Sequence, residues 1–328
     1  MTFTANPNFR PEDVPPPGGP EVQAFHRSLP GYRPTPIHRI EDSVLLKDES
    51  DRFGLPAFKI LGASWAVERT VRTRPDTRVL VAASAGNHGR AVARAAQQRG
   101  LASRIYLPAS SSRARGDLIA AEGAEVVRVN GDYDAAVAIA EHDSAKPGNA
   151  LVADTALTPT EGGPPSWVID GYSTLFREID VPVDVLLVPV GVGSLAAAAV
   201  RWAVHEQPGT RVIAIEPVTA ACLTASIVKG EMTTIETGGT TMAGMDCATP
   251  SAVAWPTLRD GLHGTITVTD AEAAQAMRDL AARDLTIGDC GAATLAAWRK
   301  HRTPDGAVLC VATEGASDPD AYARALSA

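Results

Sequence analysis

Short apolar runs rich in β-branched residues alternate along the chain with longer, alanine-rich stretches. The runs at 79–83, 104–107, 125–129, 150–152, 185–189 and 211–216 have the length and composition of buried strands. The stretches at 113–122, 133–142, 167–178 and 194–205 repeat apolar positions at helical spacing, and a Pro/Gly-rich loop at 158–165 interrupts the series. Strand–helix alternation of this kind predicts an α/β fold in which helices cover both faces of parallel sheets.

Two short segments carry the candidate chemistry. Phe58 and Lys59 follow a Gly-Leu-Pro turn and stand at the head of a predicted helix. A partly desolvated lysine at such a position can have a lowered pKa and attack carbonyl groups as an amine nucleophile. The strand at 79–83 ends in Ser84-Ala85-Gly86-Asn87-His88-Gly89, which opens an alanine-rich helix. Free backbone N–H groups at this strand-to-helix turn predict a binding site for an anion.

A second glycine loop, Gly191-Val192-Gly193-Ser194-Leu195, also follows a strand and precedes a helix. Its N–H groups and the helix dipole suit a phosphate group. The same residues fit the dinucleotide fingerprint G-x-G-x-x-A, with Glu216 at the end of the next strand as the ribose-binding acid. A tight turn of small residues is a third interpretation of the loop.

The pairing of Lys59 with the Gly-Asn-His loop resembles the fold-type-II pyridoxal-phosphate enzymes, the tryptophan-synthase β-like class. The resemblance implies that Lys59 forms a Schiff base with pyridoxal 5′-phosphate, that Asn87 faces the phenolic oxygen, and that Thr313 meets the pyridine nitrogen. The residues that it assigns to the cofactor are Lys59, Phe58, Asn87, Gly191, Val192, Gly193, Ser194, Leu195 and Thr313. Those that it assigns to the substrate carboxylate are Ser84, Ala85, Gly86, Asn87 and His88.

The class also implies two three-layer αβα domains with largely parallel sheets. Its chains start and finish in the same domain. We therefore expect a large cofactor-binding domain formed by residues 1–78 and 181–328, and a smaller inserted α/β domain over residues 79–180.

Within this class, segments between about residues 25 and 315 resemble diaminopropionate ammonia-lyase. The most specific of them is the run Lys47-Asp48-Glu49-Ser50-Asp51-Arg52-Phe53-Gly54-Leu55. Two matched positions depart from the family. Ala85 stands where the family has an acid, and Leu157 stands where it has tryptophan.

The resemblance implies α,β-elimination from a small β-substituted amino acid, with 2,3-diaminopropionate giving pyruvate and ammonia. A hydroxyl group at the pyridine nitrogen, from Thr313, suits β-elimination better than transamination. Asp154 is the catalytic acid that the family pattern offers beside Lys59. Because Ala85 replaces the other acid, we expect a preference for the L form. A β-replacement synthase that uses an aminoacrylate intermediate, and a pyridoxal-phosphate-binding protein without turnover, stay open as alternatives.

Composition narrows the range of partners. A formal net charge of -8 and a pI of ≈ 5.4 argue against binding to nucleic acid or to an anionic membrane. The first twenty residues are polar and proline-rich, which is unlike a signal peptide. The cysteines, Cys222, Cys247, Cys290 and Cys310, lack metal-ligand spacing, so we expect reduced thiols and no metal site. In the family, two cysteines at the positions of Cys222 and Cys247 can lie close together. We expect a cytoplasmic homodimer that acts on a small amino acid.

Overall fold

The computed structural model describes residues 3–160, 162–302 and 306–327. The strands are Phe3–Ala5 (β1), Ile37–Glu41 (β2), Val44–Asp48 (β3), Val79–Ala83 (β4), Ala102–Pro108 (β5), Glu125–Val129 (β6), Asn149–Leu151 (β7), Val185–Pro189 (β8), Arg211–Pro217 (β9), Gly264–Val268 (β10) and Val308–Ala312 (β11). The helices are Pro20–Ser28 (α1), Lys59–Thr73 (α2), Asn87–Gln98 (α3), Arg113–Ala120 (α4), Tyr133–Ser144 (α5), Pro164–Arg177 (α6), Ser194–Glu206 (α7), Cys222–Lys229 (α8), Trp255–Gly261 (α9), Asp270–Ala281 (α10), Asp289–Lys300 (α11) and Pro319–Ser327 (α12). Short 3₁₀ turns lie at Pro11–Asp13 and Ala243–Met245.

The larger sheet has seven strands in the order β1-β10-β9-β8-β11-β3-β2. The five strands from β10 to β3 pair in parallel, while β1 and β2 run antiparallel at the two edges. Every residue of β8 and β11 is buried. Continuous apolar strands of this kind are expected where helices cover both faces of a parallel sheet.

The smaller sheet has the order β6-β5-β4-β7, and all of its strands are parallel. Helix α6, which follows this sheet in the chain, packs against α1, α2 and α7. A single apolar cluster extends from Leu80 and Ile105 in the smaller sheet to Val188 in the larger one. The structure thus confirms the predicted α/β fold with largely parallel sheets. The domain boundaries at residues 79 and 180 stay a prediction.

Most of the strands and helices predicted from the sequence differ from the observed ones by at most two residues at either end. The exception is α6, which begins at Pro164 inside the predicted loop 158–165. Proline is favoured in the first turn of a helix, because its missing N–H group would have no partner there. Glu161 of that loop lies outside the described residues. Among the helices that the structure describes, none is both long enough and apolar enough to cross a membrane.

The two sheets place the candidate residues in one cleft. In the larger sheet, the carboxyl ends of β3, β8 and β11 lead into the segments that hold Lys59, the glycine loop and Thr313. In the smaller sheet, the carboxyl ends of β4 and β7 lead toward Ser84–His88 and Asp154. Ligands of open α/β sheets bind at this edge, outside the carboxyl ends of the strands.

Candidate active site

Lys59 is the first residue of α2, and the backbone before it is paired with the segment after β11. The Phe58 N–H group donates to the Thr313 carbonyl oxygen at 3.3 Å, and the Gly315 N–H group donates to the Pro56 carbonyl oxygen at 3.0 Å. These bonds bring Lys59 and Thr313, which lie far apart in the sequence, to the same edge of the sheet.

The Lys59 side chain forms an ion pair with Asp154. Its Nζ atom donates to Asp154 Oδ2 at 2.8 Å, and the two side chains are 24% and 15% exposed. Burial acts to lower the pKa of Lys59, but the charge and the hydrogen bond of Asp154, together with the effect of Tyr172, hold the pKa above the ordinary lysine value. The expectation of a lowered lysine pKa is therefore wrong for this state of the protein. The sequence argument considered desolvation without the carboxylate that the fold supplies.

Asp154 is held in its ionised form by two neighbours. Burial acts to raise its pKa, but the charges of His88 and Lys59 hold the pKa below the ordinary aspartate range. His88 Nδ1 lies 3.7 Å from Asp154 Oδ2, while His88 Nε2 lies 2.9 Å from the Val152 carbonyl oxygen. The contact with Val152 fixes the imidazole ring beside the carboxylate.

Aromatic rings form the wall behind the Lys59 amine. The Phe58 and Tyr172 ring centroids are 4.8 Å apart, and Lys59 Nζ lies 5.4 Å from the Phe58 centroid. Tyr172 is completely buried, and its hydroxyl group has no hydrogen-bond partner among the described residues. Phe58 therefore belongs to the core and also contacts the catalytic candidate.

Thr313 lies directly after β11 and is 4% exposed. Its Oγ1 atom is buried, and none of the described residues forms a hydrogen bond with it. A buried hydroxyl group without a partner is unfavourable, so an unpaired Thr313 Oγ1 indicates that a ligand atom satisfies it. This is the position expected for the contact with the pyridine nitrogen.

The glycine loop joins β8 to α7. Gly193 precedes α7 with a φ of 98°, and a Cβ atom built there would lie 2.5 Å from Leu258 Cδ1. A Cβ atom on Gly191 would lie 2.5 Å from the Gly244 carbonyl oxygen. The first hydrogen bond of α7 runs from the Ala197 N–H group to the Gly193 carbonyl oxygen at 2.9 Å. The N–H groups before Ala197 are the free donors of a helix N-terminus, and they suit a phosphate group.

Ser194 connects this loop to the ion pair. Its hydroxyl group donates to the Asp154 carbonyl oxygen at 2.8 Å, so the glycine loop and the Asp154 segment are held together. Glu216, the acid that a dinucleotide site would need, is completely buried. Its carboxylate accepts hydrogen bonds from the Leu223 and Thr224 N–H groups, each at 2.8 Å. The dinucleotide interpretation therefore lacks an available ribose-binding acid.

The Ser84–His88 segment forms the opposite wall of the cleft. Gly86 is exposed and precedes α3, which begins at Asn87. The Asn87 side chain does not cap this helix, because its Nδ2 atom donates to Glu314 Oε2 at 2.6 Å and to Ser317 Oγ at 3.1 Å. Ala85 offers no titratable group on this wall. Leu157, which replaces the family's tryptophan, is 70% exposed.

The sequence analysis missed several titratable groups around this site. Glu314, the neighbour of Thr313, and Asp289 at the start of α11 are half-buried acids that cluster with the buried Cys290. The available signal was their position next to Thr313 and Cys290. All four cysteines are free thiols. Burial raises the pKa of the Cys247 thiol to about 12, and the charges of Lys59 and Asp154 also act on it.

The chain is similar to a known family of enzymes. The family model described as "Pyridoxal-phosphate dependent enzyme" matches residues 28–314. The diaminopropionate ammonia-lyase of Salmonella typhimurium is 33% identical over an alignment of 372 positions, gaps included, which covers 93% of this chain and 90% of that protein.

Solved structures of the Escherichia coli diaminopropionate ammonia-lyase are also similar. The complex with an aminoacrylate-PLP azomethine reaction intermediate superposes with a TM-score of 0.88 at 30% identity, covering 99% of this chain and 96% of that one. The complex with D-serine superposes with a TM-score of 0.86 at 29% identity and the same coverage. The family match and these similarities confirm the resemblance and the fold-type-II architecture. The chain belongs to the pyridoxal-phosphate-dependent enzymes, and pyridoxal 5′-phosphate is its cofactor.

Proposed function

We propose that the protein removes the β-amino group of 2,3-diaminopropionate by α,β-elimination, which yields pyruvate and two molecules of ammonia after hydrolysis. The observation that carries this proposal is the 2.8 Å pair between Lys59 and Asp154 in the cleft. It joins an amine nucleophile to a group that can accept and return a proton. The similarity to the diaminopropionate ammonia-lyases supports the choice of substrate.

The residues of the cleft fit the cofactor. The unpartnered Thr313 hydroxyl group matches the pyridine nitrogen, and the glycine loop has backbone donors where a Cβ atom would leave no room. Lys59 supplies the attachment point. When bound, the cofactor supplies an aldehyde that bonds to the substrate amine and a ring that accepts the electrons of the broken α C–H bond.

Asp154 is the proton carrier in this proposal. As long as Lys59 is a free ammonium ion, its charge lowers the pKa of Asp154 and makes the carboxylate a weak base. Once the Lys59 nitrogen is no longer a free ammonium ion, its effect on Asp154 is lost, and burial raises the basicity of the carboxylate. The carboxylate then accepts the α-proton and delivers it to the departing β-amine, which is a poor leaving group unless it is protonated.

The segment Ser84–His88 holds the substrate carboxylate. The N–H groups of Ser84 and Gly86 already donate to the Tyr106 carbonyl oxygen and to Ser84 Oγ. The N–H groups of the first turn of α3, from Asn87 onward, can bind an anion without a charged side chain. Because Ala85 cannot transfer a proton, the opposite face of the substrate has no acid from this segment. We therefore expect the L form to react and the D form to react slowly.

A steady-state assay of pyruvate and ammonia tests the proposal. The L and D forms of 2,3-diaminopropionate, serine and threonine form the substrate panel, each with and without an added thiol or amine. Pyruvate and ammonia from L-2,3-diaminopropionate in a 1:2 ratio is the expected result. A new product that requires the added nucleophile would indicate β-replacement, and cofactor binding without turnover of the panel would contradict the lyase proposal.

A cytoplasmic homodimer is also part of the proposal. The free thiols support a reducing compartment, and the family resemblance is the support for a dimer. Light scattering coupled to gel filtration, at several protein concentrations, measures the oligomeric state. A monomer at all concentrations would contradict the proposed dimer.

A further inference from the structure

The Glu314 carboxylate lies next to the active site, but the proposed reaction does not use it. It accepts a hydrogen bond from Asn87 Nδ2 at 2.6 Å, and Ser317 Oγ lies 3.3 Å from the same oxygen atom. Asn87 Nδ2 also donates to Ser317 Oγ at 3.1 Å. An asparagine amide has two N–H donors on one side and an acceptor oxygen on the other. A carboxylate partner therefore determines which end of Asn87 is held.

The backbone fixes the position of Glu314. Ala57 and Glu314 pair across an antiparallel bridge, two residues before Lys59. The Gly288 N–H group donates to the Glu314 carbonyl oxygen at 2.9 Å, and a Cβ atom on Gly288 would lie 3.2 Å from Glu314 Cγ. Glu314 is therefore packed between the Lys59 segment and the start of α11, with its carboxylate toward α3.

A second carboxyl group accompanies Glu314. The ligand atoms of Asp289, Cys290 and Glu314 lie within 4.8 Å of one another. The charges that act most strongly on the pKa of Asp289 are those of two acids, Glu314 and Asp270, and both raise it. Two neighbouring half-buried carboxyl groups oppose each other's ionisation, which favours a single proton shared between them.

Asp289 and Glu314 titrate together, and the proton that they share can sit on Asp289. Burial and then the charge of Glu314 raise the pKa of Asp289 to about 7. Burial also raises the pKa of Glu314, but hydrogen bonds from Cys290, Ser317, Asn87 and Asp289 act against this effect. Protonated Asp289 thus leaves Glu314 as an acceptor for the Asn87 amide.

We infer that Glu314 is a positioning residue for the cofactor. Its carboxylate anchors one N–H of the Asn87 amide at 2.6 Å. The second N–H, which donates to Ser317 Oγ at 3.1 Å, is then the one that turns to the phenolic oxygen of the cofactor. The inference rests on the proposed function through the assignment of Asn87 to the cofactor. It adds that Asn87 acts only while Glu314 holds its amide.

A double-mutant cycle of Asn87→Ala and Glu314→Ala tests the coupling. The readouts are the dissociation constant of pyridoxal phosphate, titrated into the cofactor-free protein, and the pH midpoint of the visible absorption band. Each single variant is expected to weaken cofactor binding by roughly tenfold, as for loss of a charge-assisted hydrogen bond. The double variant is expected to bind no more weakly than the weaker single variant, because both changes remove the same contact.

Control variants separate positioning from general damage. Glu125→Ala is a matched change at an exposed glutamate and should leave cofactor affinity unchanged. Glu314→Gln keeps an acceptor oxygen and is expected to stay within about threefold of the wild-type affinity. Circular dichroism and thermal unfolding show whether each variant folds.

A charge swap covers the case in which Glu314→Ala does not fold. Asn87→Asp should weaken cofactor binding, because it places a carboxylate opposite Glu314. Adding Glu314→Gln should restore part of this loss, since the glutamine can donate to the new aspartate. No recovery would overturn the inference.

Two other results would overturn the inference. In one, the losses of cofactor affinity in Asn87→Ala and Glu314→Ala multiply in the double variant. In the other, a folded Glu314→Ala protein binds the cofactor as tightly as the wild type. Unchanged affinity in Asn87→Ala has a different meaning. That result would remove Asn87 from the cofactor site and, with it, both the assignment and the inference.

Discussion

Asp154→Asn is the substitution that most directly tests the chemistry of the cleft. Asparagine has nearly the same shape as aspartate, so its Oδ1 atom can still accept a hydrogen bond from Lys59 Nζ. In the wild-type protein this hydrogen bond is 2.8 Å long. The backbone carbonyl of residue 154 also keeps its hydrogen bond from Ser194, at 2.8 Å. The substitution therefore removes the ability to accept a proton while it preserves the arrangement of the loop.

The expected loss follows from the role assigned to Asp154. A positioned general acid–base group contributes about 10²- to 10⁴-fold to the rate. At about 1.4 kcal/mol for each factor of ten, this corresponds to roughly 3–5 kcal/mol of the activation barrier. We expect kcat for L-2,3-diaminopropionate to fall by about this factor. The visible absorption of the bound cofactor should persist, because Lys59 is unchanged.

The assay measures pyruvate release and the absorption spectrum on the same protein sample. Asp117→Asn, at a 71% exposed position on α4, is the matched control and should retain wild-type activity. A kcat for Asp154→Asn within about threefold of wild type would refute the reasoning and would leave Lys59 itself as the base. Loss of the cofactor spectrum would instead indicate that Asp154 mainly supports binding.

The same reasoning predicts a gain of function at Ala85. An Ala85→Asp variant restores an acid at the start of α3, where the helix dipole favours a negative charge. We expect the variant to raise the rate with the D form relative to the L form. An unchanged ratio of the two rates would contradict the explanation of stereochemical preference.

Three other substitutions test Lys59 and two groups of buried charges. In Lys59→Ala, borohydride reduction should no longer attach the cofactor covalently to the protein. Cofactor found by mass spectrometry on another lysine would contradict the assignment of Lys59. Glu178→Gln leaves the buried Lys47 ammonium group without its 3.0 Å counterion, and we expect a loss of about 3–5 kcal/mol at pH 7 in urea unfolding. Burial acts to raise the pKa of Glu178, but Arg52 and Lys47 hold the pKa below the ordinary value. The stabilisation from this carboxylate is therefore present above about pH 4 and is lost as pH falls. If the free energy of unfolding of Glu178→Gln falls with acid as steeply as that of the wild type, the assignment is contradicted. Asp289 has a pKa raised by burial to about 7, so its ionisation costs stability as pH rises from about 4 through 7. Asp289→Asn should therefore reduce the fall in melting temperature between pH 5 and pH 8, and an unchanged fall would contradict the shared-proton pair.

Much of the fold and several site residues were predictable because their signals are local. The β-branched runs at 79–83 and 185–189 match β4 and β8, since a strand buried on both faces needs a continuous apolar run. The glycines at 191 and 193 predict the loop before α7, because backbone approach and a positive φ exclude larger residues. β2 and β3 are short and partly polar, and the pattern did not reveal them.

The electrostatic state of the site depended on contacts between distant residues. Asp154 lies 95 residues from Lys59, and Glu314 lies 227 residues from Asn87. Local sequence suggested a desolvated lysine with a lowered pKa, whereas the neighbouring carboxylate raises it.

The sequence by itself determined most strands and helices between residues 79 and 216, the start of the Lys59 helix and the glycine loop, because each depends on nearest neighbours along the chain. Only the tertiary structure decided which charges face one another across the cleft. The energy of an ion pair or of a shared proton depends on the distance between the groups and on their burial, and neither quantity is encoded in a local run of residues.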